Sequence, residues 1–277
     1  GTHNLGIGQL ANRELTTGHH NIAIGNHALR RNTEKNYNIA IGKESLQHFT
    51  TGQENVGIGH HTLVGTNGSS TSQQNVAVGN NALQQSTSGS FNTAVGRQAA
   101  QNTRAGQQNV AVGLRALDTN QTGSYNTALG VTALDSVING SNSTAVGYQA
   151  LQSYTGSSVV AVGYNAYRAA STGNNGVAVG TSAMQSVTTG AFNTGIGHAT
   201  LTAITTQTDN TAVGTNALGS STGVSNTGVG SRALTKVTNS YNTGVGAFAL
   251  HESLGVYFNT AVGYEAGVAN TTGQENT

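Results

Sequence analysis

The chain reads as an all-β protein, a parallel β-solenoid (β-roll) with one coil per repeat, and three observations lead there. A glycine closes an Asn-Thr-Ala-Val-Gly-like block at Gly8, Gly25, Gly42, Gly59, Gly79, Gly96, Gly113, Gly130, Gly147, Gly163, Gly180, Gly197, Gly214, Gly230, Gly246 and Gly263. The intervals are 17 residues, apart from one of 20 and three of 16. So short and strict a period marks one structural unit stacked many times. The residues before each glycine are β-branched and alternating, the pattern of a short strand. A glycine in the middle of every unit, among β-branched runs, fits a helix poorly. Sixteen coils about 4.8 Å apart are therefore expected.

Numbering the repeat from its Asn shows what each position does. Position 1 is Asn except at Ser143, Val159 and Gly176; position 2 is Val, Ile or Thr except for Leu5. Position 3 is only Ala or Gly, position 4 only Val, Ile or Leu, and position 5 only Gly. Positions 1 to 4 form the strand, and the glycine at 5 suits a turn that excludes a Cβ. Ala at 8 and Leu at 9 are expected to begin a second strand, and a polar tract with Gly in its middle returns the chain. The absence of proline agrees with a backbone that donates hydrogen bonds throughout.

Alternation along a strand puts positions 2 and 4 on one face and position 3 on the other. Positions 2 and 4 are expected to fill the coil interior with Leu at 9. Position 3, for example Ala94, Ala111, Ala128 and Ala145, then faces outward as a small apolar stripe covered by another chain, most economically in a homotrimer. The three 16-residue repeats are expected to lose their residue from the polar return. The excess before Asn75, in Thr66-Asn67-Gly68-Ser69-Ser70-Thr71-Ser72, is expected to protrude as a loop within 65–74. Stacked Asn amides should bond one another from coil to coil.

Composition excludes several classes. Only 8% of residues are charged, with 11 Lys+Arg against 10 Asp+Glu spread along the chain, so no basic patch for nucleic acid is formed. Low hydrophobicity accompanies disorder when net charge is high, but here the net charge is +1 and the pattern stays in phase. No apolar run approaches the roughly 20 residues of a membrane span. The lack of cysteine rules out disulfides and thiolate metal sites. Residues 1–277 read as a single array. Gly1-Thr2-His3 and Asn276-Thr277 fall within repeats, so a segment of a longer fibre is expected.

Blocks such as Asn21-Ile22-Ala23-Ile24-Gly25 and Asn75-Val76-Ala77-Val78-Gly79 resemble the head repeats of trimeric autotransporter adhesins. Asn126-Thr127-Ala128-Leu129-Gly130 and Asn259-Thr260-Ala261-Val262-Gly263-Tyr264-Glu265-Ala266 are similar to the 17-residue repeats of phage and bacterial tail-fibre-like proteins. The first resemblance implies a left-handed parallel β-roll in a trimer; both imply an extracellular, cell-surface or virion-surface setting. Adhesin heads use a shorter coil, and no chaperone-protease domain of the tail-fibre type is recognisable here.

Stacking turns residues 17 apart into neighbours, so chemistry is sought by column. Asp118 and Asp135 fall at position 10 of adjacent coils, near the ~5 Å spacing of a retaining glycosidase. The same column holds Gln47, Gln84, Gln101, Gln152 and Gln185, which favours a solvated face. His27, Glu44 and His61 share position 7, with His60 alongside, but coils about 4.8 Å apart hold the outer two too far apart to converge easily on one ion. Position 17 carries His3 and His20, then Tyr37, Phe91, Tyr125, Phe192, Tyr241 and Phe258, either platforms for glycans or cover for the start of the strand. No catalytic, cofactor or metal residue is assigned. The expected function is a structural shaft or head segment of an extracellular fibre, not an enzyme, with a cell-surface glycan or receptor as partner. The alternatives are an ice- or glycan-binding solenoid, which needs a flat outward Thr array, and a fibre-borne glycan depolymerase.

Overall fold

The computed structural model of the chain describes residues 1–34, 36–65 and 70–277. Sixteen three-residue strands recur at positions 2 to 4 of the repeat, and among the described residues there is no helix. The chain divides into two compact units, Gly1–Asn142 and Ser143–Thr277. The first contains β1 (Leu5–Ile7) to β8 (Thr127–Leu129), the second β9 (Thr144–Val146) to β16 (Thr260–Val262). Within each unit successive strands pair in parallel and in register, as in Val110↔Thr127, Ala111↔Ala128 and Val112↔Leu129. This is the β-solenoid that the period predicts.

The facing of the strand is the reverse of that expected. Position 3 points inward: Ala94, Ala111, Ala128 and Ala145 are fully buried. Positions 2 and 4 point out, and Val110, Val95 and Leu129 are 39, 37 and 46% exposed. The restriction of position 3 to Ala and Gly therefore comes from a crowded coil interior, not from a neighbouring chain. Leu at position 9 reaches beneath the strand of the following coil. A Cβ on Gly57 would lie 2.4 Å from Leu46 Cδ1, and one on Gly195 would lie 2.9 Å from Met184 Cγ. With Ala at 3 and 8 and Leu at 9, as in Ala111, Ala116 and Leu117, the interior is full. Little room is left for a second row of Val or Ile.

Nor does a second strand begin at positions 8 and 9, because the chain turns there. Residues at 7, 9 and 17 adopt left-handed backbone angles, for instance Arg115 (φ 54°), Leu117 (φ 57°) and Tyr125 (φ 60°). Their N–H groups still bond between coils: Arg115 donates to the Arg97 carbonyl at 3.0 Å, Leu117 to Ala133 at 2.9 Å and Tyr125 to Gln107 at 3.0 Å. Gly113 at position 5 has φ 132°, and a Cβ there would meet the Gly130 carbonyl oxygen at 2.5 Å. Both facts exclude any other residue.

The Asn column ties each coil to the next. The Asn126 N–H donates to Asn109 Oδ1 at 2.9 Å, while Asn109 Nδ2 donates to Asn92 Oδ1 and to the Gly123 carbonyl, each at 3.0 Å. These amides are buried and paired, as the ladder requires.

The short coils lose their residue in the polar return. Asn75 Nδ2 donates to Gly89, 14 residues on, but Asn210 and Asn226 donate to Gly223 and Asn239, 13 residues on. Ser221 and Val237 keep the buried twelfth position and the strands keep register, so the missing residue lies between positions 12 and 15. Of the expected loop at 65–74, residues 66–69 lie outside the described residues. On either side, the Gly65 N–H donates to the Gln84 carbonyl at 3.0 Å and Ser70 forms a bridge with Phe49.

Candidate functional site

The reversed facing gives each unit an outward sheet surface made of positions 2 and 4. In the first unit it carries Val, Ile, Leu and two Thr; in the second, Val and Ile at position 4 lie beside a mainly Thr position 2. No charged side chain occurs at either position. From β12 (Thr194–Ile196) to β16, Thr194, Thr211, Thr227, Thr243 and Thr260 stand in register in five successive coils. Beside them run Ile196, Val213, Val229, Val245 and Val262. The Thr column anticipated as internal is thus external.

Aromatic side chains flank this surface. At position 17 the rings of His3 and His20 stack at 4.9 Å, His20 and Tyr37 at 5.1 Å, and Tyr241 and Phe258 at 5.1 Å. Tyr37, Phe91, Tyr125, Phe192, Tyr241 and Phe258 are all about half exposed. At position 6, Tyr148 and Tyr164 stack at 5.4 Å. Stacking follows from the coil spacing whenever two consecutive coils carry rings.

Asp118 and Asp135 are brought together, with a partner the sequence did not reveal. Arg115 Nε donates to Asp118 Oδ2 and its Nη2 donates to Asp135 Oδ2, both at 3.2 Å. Asn102 Nδ2 donates to Asp118 Oδ1, also at 3.2 Å. Asp135 Oδ1 is buried without a hydrogen-bond partner. Burial pushes both carboxyls above the usual range, against the pull of Arg115. Chemically this is one guanidinium shared by two buried acids, with one carboxylate oxygen left without a partner. The guanidinium takes one oxygen of each carboxylate.

The position 7 column separates into pairs. Glu44 bonds His61 Nε2, while His27 Nδ1 lies 3.4 Å from Gln47 Nε2. Burial works to raise the Glu44 carboxyl, but the hydrogen bond and charge of His61, with Lys43 and His27, hold it below the usual range. His60 stacks on His61 at 3.8 Å. Among the described residues no three His, Asp or Glu side chains converge as metal ligands. No helix among them is long and apolar enough to cross a membrane.

No protein-family model matches the chain, and no curated protein matches it.

Two structural substitutions escaped the sequence reading. Position 1 loses its Asn at Ser143, Val159 and Gly176, and buried tyrosines occupy that region. Tyr167 Oη donates to the Gly190 carbonyl at 3.0 Å, and Tyr154 Oη donates to the Ser157 carbonyl at 2.7 Å. The available signal was Tyr167 at position 9, where Leu prevails, one coil before an Asn becomes Gly.

Proposed function

We propose that the chain is a structural segment of an extracellular fibre, on a cell or virion surface, that assembles as a homotrimer and contributes to a surface-binding end. One observation carries the reading: the outer sheet face in each unit is free of charge, regular at the coil spacing and lined by Val, Ile and Leu, with Thr beside them at position 2 mainly in the second unit. Its exposed side chains run without a charge through eight successive coils in each unit. A continuous row of exposed apolar side chains is costly in water and marks an association site. A second copy of the chain carries the same repeat and so keeps in step with it over many coils. The resemblance to trimeric adhesin heads is the reason for proposing three chains. The contact runs through positions 2 and 4, not through the buried position 3.

The test is the mass in solution. Light scattering of the unaltered chain should give a multiple of the chain mass, and Val95→Glu with Val112→Glu should lower it without loss of β signal in circular dichroism. A chain that is monomeric at micromolar concentration sinks the proposal.

A second reading is favoured by the outward Thr run from Thr194 to Thr260. Hydroxyls and methyls in register on a parallel sheet present the regular array that a crystalline surface such as ice requires. Thermal hysteresis that disappears in Thr211→Lys with Thr227→Lys would select this reading over assembly.

A further inference from the structure

In the second unit, Ser153, Arg168, Ala169, Gln185 and Ser186 line an open depression of about 410 Å3, within the size range of small-ligand sites. It arises at position 11, where Ser153, Ala169 and Ser186 succeed one another, while other coils carry Glu14, Arg31 or Glu252 there. Arg168 forms its wall. Between Asp135 and Asp209 the chain has no other Asp, Glu, Lys or Arg, so this guanidinium has no carboxylate in its own or adjacent coils. Its Nε donates to Gln152 Oε1 at 3.3 Å, and among the described residues its terminal nitrogens have no acceptor. The Ser153 and Ser186 hydroxyls are likewise without partners among the described residues.

We propose that this depression binds an acidic saccharide, one uronic-acid-type sugar per site. A guanidinium fork with both terminal nitrogens free matches a carboxylate in two parallel hydrogen bonds. Two serine hydroxyls and the Gln185 amide offer the donors and acceptors that sugar hydroxyls need, and the Ala169 methyl supplies an apolar floor. One isolated cation suits one carboxylate; a polyphosphate or nucleic acid calls for a row of cations, which this stretch lacks. The inference names a ligand class for the surface-contacting role proposed above and rests on that reading for its setting, not for the binding itself.

The experiment is calorimetric titration of the full chain with trigalacturonate and with its methyl ester, which keeps the sugar framework, adds a methyl to each carboxyl and carries no charge. Trigalacturonate should bind, and the ester should bind at least about tenfold more weakly, as loss of a charge-assisted hydrogen bond requires. Arg168→Gln should weaken binding by a similar factor; neighbouring coils carry Gln at that position, so the fold is retained. Ser153→Glu should do the same by placing a carboxylate in the depression, at a position where other coils already hold Glu. No binding of trigalacturonate, equal binding of acid and ester, or unchanged binding by a folded Arg168→Gln overturns the site. Light scattering of the same samples reads the assembly separately. An oligomer that binds no trigalacturonate overturns the site alone, and a monomer that binds it upholds the site while the fibre reading falls.

Discussion

Tyr167 donates its hydroxyl hydrogen to the carbonyl of Gly190 at 3.0 Å, the contact that the side chain of an Asn at position 176 would otherwise make. In regular coils the position 1 amide donates to the carbonyl 14 residues on, as Asn92 does to Gly106 at 2.9 Å. At 176 that residue is Gly, and a Cβ there would lie 2.6 Å from Tyr167 Cε1. The tyrosine fills the place of the missing amide and satisfies its acceptor. Burial raises its hydroxyl to about 12, which keeps it protonated and donating.

Tyr167→Leu should therefore cost about 2–4 kcal/mol, from a cavity and an unsatisfied buried carbonyl. Adding Gly176→Asn should recover a large part of that loss, while Gly176→Asn alone should destabilise by overlap with the ring. Urea midpoints of the three variants form the cycle, and purely additive effects would show that the two positions are not exchanging roles.

Ala111→Glu and Val112→Glu should part company. The first places a charge and extra bulk in a full interior and should unfold the surrounding coils. The second changes an outward side chain and should leave the circular dichroism intact. Equal loss of structure in both would contradict the observed facing.

Leu117→Ile should destabilise by about 1–3 kcal/mol, although the two side chains have the same volume. Leu117 has φ 57°, where a β-branched side chain is strained. Leu117→Met should cost less than about 1.5 kcal/mol, because only packing changes. Thermal melts of the two variants decide between backbone and packing as the cause.

Acid should stabilise the Asp118–Asp135 neighbourhood over a defined window. Burial raises both folded-state carboxyls above their unfolded values. The folded state therefore favours the protonated form, and stability is gained as pH falls from above the raised folded value to the ordinary carboxylate value. Asp135→Asn should raise the melting temperature at pH 7 and remove part of that pH dependence. Arg115→Gln should lower it at pH 7, with the gap closing in acid. Melting temperatures from pH 3 to 8 test both; a flat profile in the unaltered chain contradicts the assignment.

Part of this was open to sequence reasoning. The recurrence of Gly8, Gly25 and their successors determined the solenoid, because a fixed period leaves no other way to bury a shared face. The Asn column and the location of the deletions in the short coils also followed from the repeat. The backbone turns left a usable trace. Among the described non-glycine residues at positive φ, Thr132 alone is β-branched, so Leu in place of Ile or Val at position 9 was already a mark of left-handed backbone.

Which face of the strand looks inward was beyond sequence alone. Alternation separates position 3 from positions 2 and 4 but assigns neither to the interior, and hydrophobicity pointed the wrong way. The deciding quantity was volume: Leu46 and its counterparts extend beneath the next strand and leave room only for Ala or Gly, so Val and Ile are turned toward water. The Arg115 bridge, the Tyr167 substitution and the depression beside Arg168 also join residues from different coils. Their placement depends on side-chain reach between coils, which the period brings close and only the packed structure resolves.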